Sequence, residues 1–144
     1  MAFRGTFDYS LDAKNRLTVP AKFRAALADG VVLSKGLDAC VELWRPDDYD
    51  GRMTVALRGM NPLSPEARRI ELFFSANAFT TELDSAGRVM VPPPLLDHAG
   101  LAKDVVVVGA GQSMQIWDRA GWAKFNDQLA TTINDITASL GQPS

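Results

Sequence analysis

Six short segments of the chain are rich in apolar residues, and in several of them polar and apolar residues alternate, as in RLTV at residues 16–19. Such alternation is the pattern of β-strands that bury one face and expose the other. Turn-favouring residues such as glycine, proline and aspartate lie between the segments. The second and third segments, and the fifth and sixth, are predicted to pair as hairpins because short loops join them. The six predicted strands are residues 16–19, 31–34, 40–44, 88–91, 104–108 and 114–117.

Helices are predicted between these strands from the residues that start and stop them. Proline suits a first helical turn, serine and aspartate cap a helix N-terminus, and glycine ends a helix. On these signals, helices begin at Pro20, Pro46, Ser64, Pro92 and Asp118. The first ends near Gly30 and the fourth before Gly100, while the third and fifth run to about residues 75 and 140. Strands and helices together indicate an α+β protein.

The strongest feature of the sequence is an internal repeat. The string LDAKNRLTVP at residues 11–20 recurs as LDSAGRVMVP at residues 83–92, an offset of 72 in a chain of 144 residues. The chain is therefore predicted to contain two copies of one unit, residues 1–72 and residues 73–144, the second with a C-terminal helix. Two hairpin pairs have too few strands for separate stable sheets. We expect the copies to interleave into one small β-barrel that helices cover.

Each copy contains the pattern Asp-x-x-x-Arg, at residues 12–16 and 84–88. Aspartate followed three residues later by asparagine or glycine is typical of a type I turn closed by a left-handed residue, a common hairpin connection. Asparagine and glycine adopt that conformation at little cost. We therefore expect a hairpin turn in each copy, with the returning strand starting at the arginine. The turn residues are Asp12, Asn15, Asp84 and Gly87.

The net charge of the whole chain hides a difference between its two halves. A net charge of −2 lacks the basic excess usual in nucleic-acid-binding proteins, yet residues 1–72 carry +1 and residues 73–144 carry −3. Arginine presents a planar fork of donors to phosphate or to a guanine edge, and a two-stranded ribbon fits the major groove of DNA. The turns are therefore predicted to contact an anionic partner. The cations around the first turn, which outnumber Asp8 and Asp12, are Arg4, Lys14, Arg16, Lys22 and Arg24.

Side chains suited to catalysis are scarce. His98, the single histidine, is typical of a cation near a helix C-terminus, and Cys40, the single cysteine, is typical of a buried structural thiol. Residues 109–111, Gly-Ala-Gly, resemble the start of a nucleotide-binding turn, but Met114 stands where the third glycine is required. We expect no catalytic residue, no metal site and no cofactor.

The location of the protein is also predicted from the sequence. No apolar run reaches the roughly 18 residues of a membrane span, and the first residues lack the apolar segment of a signal peptide. One cysteine forms no internal disulfide, which fits a reducing compartment. We expect a cytoplasmic protein without a membrane partner.

The residues around both motifs resemble the MraZ family of bacterial transcriptional regulators, named for the division and cell-wall gene cluster that it precedes. The similarity starts at Phe-Arg-Gly-Thr, residues 3–6, and continues through LDxKxRLxxPAKFR at residues 11–24. It extends to Asp-x-x-Gly-Arg at residues 84–88 and to Ile116 and Trp117. The AbrB-like swapped-hairpin DNA-binding domains are similar more distantly. Two motifs in register are specific, whereas either alone is weak evidence.

The resemblance implies a fold, an assembly and a function. The fold is a double-split, swapped-hairpin β-barrel formed by both repeats, assembled as a ring-shaped homo-oligomer of octamer or dodecamer type. Family members bind short direct repeats in double-stranded promoter DNA upstream of their own division and cell-wall (dcw) operon, and usually repress it, which implies a nucleoid-associated protein. The DNA contacts implied are first Arg16 and Arg88, then Lys14, with Arg4 and Lys22 as candidates for phosphate contacts.

Two positions depart from the family pattern, and other functions remain open. Asn15 replaces the usual glycine of the first motif, and Ala86 stands at the counterpart of Lys14, so the two turns are expected to contribute unequally. The Asp-x-x-x-Arg pair has a purely structural interpretation in which the arginine only bonds the turn. The alternative functions are an oligomeric protein-interaction scaffold and an AbrB-type antitoxin whose second half contacts a toxin.

Overall fold

The computed structural model describes residues 2–141, which form eight strands and four α-helices. This composition confirms the α+β class. In chain order the elements are β1 (Thr6–Ser10), β2 (Arg16–Thr18), β3 (Val31–Lys35), β4 (Val41–Trp44), α1 (Pro46–Leu57), α2 (Pro65–Ala76), β5 (Ala78–Thr81), β6 (Arg88–Met90), α3 (Pro93–Ala99), β7 (Asp104–Gly109), β8 (Ser113–Asp118) and α4 (Arg119–Gly141).

The strands form two antiparallel sheets that exchange elements between the halves of the chain. Six strands make one sheet in the order β1-β7-β8-β4-β3-β5, and β2 pairs with β6 in a separate ribbon. Strand β1 lies beside β7 of the second half, while β5 lies beside β3 of the first half. The equivalent strands β4 and β8 also pair with each other. The two halves therefore interleave, and each supplies backbone hydrogen bonds to strands of the other.

A continuous apolar core joins the large sheet to the ribbon. Leu33, Leu43 and Ile116 of the sheet are fully buried and belong to the same cluster as Leu17 and Val89, the central residues of the ribbon. Burial of a leucine or valine side chain contributes about 1.5–3 kcal/mol, so the inner face of the ribbon is firmly anchored. Its outer face, with the opposite side chains, remains accessible.

Helices cover the tryptophans at the ends of the two equivalent strands β4 and β8. The Trp117 ring stacks on Phe125 of α4 at 4.6 Å and lies 5.6 Å from the Trp122 ring. Trp44 makes an edge-on contact with Tyr49 of α1 at 6.1 Å. Both tryptophans are nearly inaccessible, so they fix the helices that follow them. No helix among residues 2–141 is long and apolar enough to cross a membrane.

The predicted pairing around the two Asp-x-x-x-Arg turns is wrong. Both turns form, but β1 pairs with β7 and β2 pairs with β6, so the strands that flank the first turn separate. The pairing of β2 with β6 sets Leu17 directly opposite Val89 above the core. Cross-strand apolar contact and burial of both side chains favour this partner.

The other local predictions hold with one exception. Strands β3 and β4, and β7 and β8, pair as predicted. The Ser64 hydroxyl accepts a 3.2 Å hydrogen bond from the Ala67 N–H and caps α2, while Gly100 ends α3 with a φ of 60°. The helix predicted after Pro20 is instead a pair of 3₁₀ turns, Ala21–Phe23 and Ala25–Leu27.

Candidate nucleic-acid interface

The two Asp-x-x-x-Arg turns have the same hydrogen-bonded structure. In the first, the Asn15 N–H donates to the Asp12 carbonyl oxygen at 3.0 Å, and the Asp12 N–H donates to the Arg16 carbonyl oxygen at 3.1 Å. The corresponding distances in the second turn, between Gly87, Asp84 and Arg88, are both 2.9 Å. As predicted, the fourth residue of each turn is left-handed: φ is 57° at position 15 and 74° at position 87.

The aspartate carboxylate organises each turn through three further bonds. Asp12 Oδ1 accepts from the Lys14 and Arg16 N–H groups at 2.9 Å, and Oδ2 accepts from Arg16 Nε at 2.7 Å. Asp84 accepts in the same way from the Ala86 N–H, the Arg88 N–H and Arg88 Nε, the last at 2.8 Å. The carboxylate therefore holds both the loop and the arginine in place.

These bonds favour the ionised carboxylates. The hydrogen bond from the Arg16 N–H is the largest cause that lowers the pKa of Asp12, and the Arg16 side chain and the Lys14 N–H add to it against partial desolvation. The Arg88 N–H has the same leading effect on the pKa of Asp84. Each turn therefore carries a negative carboxylate that fixes a positive arginine.

The β2–β6 ribbon brings the two arginines together. In its register, Arg16 lies opposite Met90 and Thr18 lies opposite Arg88. Both arginine side chains are about one-third accessible, and Met90 is 58% exposed. Since alternate residues of a strand share a face, these four side chains form the outer face of the ribbon, opposite the buried pair. We call this face, Arg16, Thr18, Arg88 and Met90, the ribbon face.

The other sequence-predicted cations are distributed unevenly around the ribbon face. Lys14 is exposed in the first turn itself. Lys22 lies beside β1, with Nζ 4.6 Å from the Phe7 ring centre and 5.1 Å from that of Phe23. Arg4 precedes β1, whereas the first turn follows that strand, so the two lie at opposite ends of it. The neighbour of Arg4, Phe3, bridges Gly111. The structure therefore does not bring Arg4 to the turn with which the sequence grouped it.

Arg24, also grouped with the first turn, lies instead at the second. Its Nε donates a 3.0 Å hydrogen bond to the Val19 carbonyl oxygen, and the Val19 N–H donates a 2.9 Å bond to the Gly87 carbonyl oxygen. The end of the Arg24 side chain fills the space where a Cβ on Gly87 would stand, and Gly87 is buried beneath it. The sequence repeat gave no signal for this contact, since Leu96 is the counterpart of Arg24.

The two candidate residues for catalysis have structural surroundings. His98, in the last turn of α3, has Nε2 at 2.9 Å from the Gly36 carbonyl oxygen and at 3.2 Å from that of Asp38. Cys40 is fully buried, and burial, with Glu42 and Asp38 adding, raises the pKa of its thiol to about 12. Within the described residues 2–141, no three His, Cys, Asp or Glu side chains are grouped to hold a metal ion.

Comparison with known families identifies the chain. The family model described as "MraZ protein, putative antitoxin-like" matches residues 2–69 and residues 74–140. The chain belongs to the MraZ family. This confirms the resemblance drawn from the two motifs.

Relatives named "Transcriptional regulator MraZ" extend over nearly the whole chain. The chain is 38% identical to one from Desulfitobacterium hafniense, 35% to one from Heliobacterium modesticaldum and 33% to one from Mycoplasmoides gallisepticum, each over 138 residues. Each alignment covers 96% of both chains. Each matched segment of the MraZ model contains one Asp-x-x-x-Arg turn, so the turns fall within the region shared with the family.

Proposed function

We propose that this protein is a sequence-specific, DNA-binding transcriptional regulator that presents Arg16 and Arg88 to double-stranded promoter DNA. One observation carries the proposal: the ribbon brings the arginines of two separate motifs to one accessible face. The name of the relatives supports the regulatory role. The family resemblance adds that the DNA lies upstream of its own division and cell-wall operon, that regulation is repressive, and that the protein is cytoplasmic and nucleoid-associated.

The bonding of the arginines suits contact with an anion. Each guanidinium is bound to its aspartate through Nε. In the part of the chain that the structure describes, the terminal nitrogens of Arg16 and Arg88 have no hydrogen-bond partner. These nitrogens supply the donor fork that binds a phosphate or the O6 and N7 atoms of guanine. The aspartate thus positions the arginine while leaving donors for DNA.

The finer architecture belongs to the same proposal. The exchange of β1 and β5 between the halves supports a double-split, swapped-hairpin β-barrel made of two repeats, residues 1–72 and 73–144. In such a barrel, each repeat contributes one strand to the β2–β6 ribbon. Its outer face is then the single DNA-contacting surface of each subunit, with Lys14 beside it and Lys22 and Arg4 as more distant phosphate contacts.

Exposed apolar side chains on the helices support self-association into a ring of octamer or dodecamer type. Leu63 and Leu72, before and within α2, are 80% and 67% exposed. Ile133, Ile136 and Leu140 of α4 follow one another at spacings of three and four, which places them on one helix face, and Leu140 is 83% exposed. Exposed apolar side chains grouped on a surface favour a protein interface. A ring repeats the ribbon face at fixed intervals, which matches DNA with direct repeats.

The function is tested by binding to the DNA that precedes the protein's own gene. Fluorescence anisotropy with this DNA over a salt series, against a shuffled duplex of equal length and composition, measures affinity and specificity together. We expect tighter binding to the upstream DNA, on the order of 10³-fold, and a linear fall of log affinity with log salt concentration. Equal binding to both duplexes contradicts a sequence-specific regulator. Absence of binding favours a protein-interaction scaffold.

The assembly is tested by light scattering on the purified protein. A mass of eight or more subunits is expected for a ring, as the family resemblance implies, and a monomer contradicts it. Leu72→Ser and Leu140→Ser, both at exposed positions, lower the mass without unfolding the subunit if these helices form the interface.

A further inference from the structure

The two turns differ in their own charges, and the fold reduces the difference. The first turn contains Asp12, Lys14 and Arg16, a formal charge of +1. The second turn contains Asp84 and Arg88, with an alanine at the lysine position, a formal charge of zero. Phosphate affinity depends on the number of cations that neutralise the backbone. From its own residues alone, the second turn should bind an anion more weakly than the first.

Arg24 brings a cation from the first half of the chain to this second turn. The contact is direct, because the Arg24 side chain covers Gly87, and it is fixed by the hydrogen bond from Nε to the Val19 carbonyl oxygen. With Arg24, the formal charge at the second turn becomes +1, equal to that of the first. No reciprocal cation reaches the first turn from the matching position, since that residue is Leu96.

The guanidinium of Arg24 has hydrogen-bond donors that its contact with Val19 does not use. Its bond to the Val19 carbonyl oxygen uses Nε alone, the same atom through which Arg16 and Arg88 bind their aspartates. The residue is only partly buried. Across residues 2–141, its terminal nitrogens have no hydrogen-bond partner. All three arginines therefore share one arrangement, in which Nε is anchored and the donor fork is available to a ligand.

We propose that Arg24 is a phosphate-contacting residue of the second turn and supplies the charge that Ala86 does not. The inference rests on the proposed DNA-binding function and extends it with a residue that the repeat does not indicate. Both halves of the chain then contribute a DNA contact at a single turn, because Arg24 and Arg88 come from different copies.

The alternative role of Arg24 is to hold Gly87 in place, and Arg24→Gln separates the two. The glutamine amide nitrogen occupies the same position along the side chain as Arg Nε, so it retains the donor to the Val19 carbonyl oxygen and removes only the charged fork. The decisive measurement is the slope of log affinity against log salt concentration. Lys124→Gln, at an exposed position of α4, is the matched control for loss of one positive charge.

We expect Arg24→Gln to weaken binding to the upstream DNA and to reduce the slope by about 0.9 for each second turn that engages a phosphate. Lys124→Gln should bind as the wild type does. Adding Ala86→Lys to Arg24→Gln returns a cation to the exposed middle of the turn and should restore the slope. A purely structural arginine would not be replaced by a lysine at another position.

Two outcomes overturn the inference. One is a wild-type slope in Arg24→Gln, whatever its affinity, and the other is a reduced slope that Ala86→Lys does not restore. Loss of binding in Arg16→Ala and Arg88→Ala, with a wild-type slope in Arg24→Gln, refutes the role of Arg24 and retains the proposed function. If the unsubstituted protein does not bind the DNA, the proposed function itself fails.

Discussion

Arg16 and Arg88 lie diagonally across the β2–β6 ribbon on the same face, although 72 residues separate them in the chain. Diagonal neighbours in an antiparallel pair are about 7–8 Å apart between Cα atoms, which is less than the width of about 12 Å of the DNA major groove. Each arginine is bound to an aspartate of its own turn. The ribbon therefore carries two arginines, each fixed by an aspartate, on one face.

Arg16→Ala and Arg88→Ala should each abolish promoter binding in a gel shift while the protein still folds. A good bidentate contact to a base contributes about 1–3 kcal/mol, and each loss is repeated in every subunit of an oligomer. Ion pairs at a protein surface contribute little to stability, so thermal unfolding should change little. A variant that unfolds or disassembles before it loses binding would show that the arginine is structural.

Acid should destabilise both turns through Asp12 and Asp84. Their pKa values are lowered in the folded protein, so folding favours the ionised form. This stabilisation is complete above the ordinary aspartate pKa of about 3.9 and is lost as the pH falls through the lower, folded-state pKa. NMR titration of the two carboxyl groups should give midpoints below the ordinary aspartate value. Midpoints at or above that value would contradict the bonding described for the turns.

Gly87→Asn should be more destabilising than Asn15→Gly, although both exchange residues that tolerate a left-handed backbone. A side chain at position 87 collides with Arg24, whereas Asn15 is exposed. We expect Gly87→Asn to displace the flexible Arg24 side chain and break its hydrogen bond to the Val19 carbonyl oxygen, at a cost of about 0.5–1.5 kcal/mol in the free energy of unfolding. Asn15→Gly meets no such neighbour and should cost less.

A double-mutant cycle identifies the cause of that difference. If Arg24 is the obstacle, Arg24→Ala should offset part of the cost of Gly87→Asn, measured by denaturant unfolding. Additive effects of the two substitutions would place the cost in the backbone alone.

Cys40 should be unreactive in the folded protein. Burial raises the pKa of its thiol to about 12, so almost no thiolate exists at pH 8. A disulfide reagent that releases a coloured thiolate should modify Cys40 only after a denaturant is added. Rapid stoichiometric modification of the native protein would show that the thiol is accessible.

The local parts of the structure were predictable from the residues that form them. Turns and helix ends depend on groups within about four positions, so Asp12, Asn15 and Gly87 indicated the turns and Ser64 and Gly100 indicated helix ends. The exception after Pro20 is also local, since two short 3₁₀ turns and one helix share the same starting signal.

Strand partners were less predictable. The alternation around Leu17 and Val89 indicates that these residues face a core. It does not indicate which strand lies beside each of them. The sequence alone therefore suggested that each turn joins a hairpin. The structure separates those strands, because pairing the two copies buries both residues against each other and the core.

The sequence by itself determined the two turns, the family and the candidate arginines, because a repeated motif records local bonding and common origin. Tertiary structure alone decided that Arg16 and Arg88 share one face and that Arg24 lies on Gly87. Both relationships join residues of opposite halves. They arise from strand exchange and core burial between the two halves. The sequence of a single segment therefore does not indicate them.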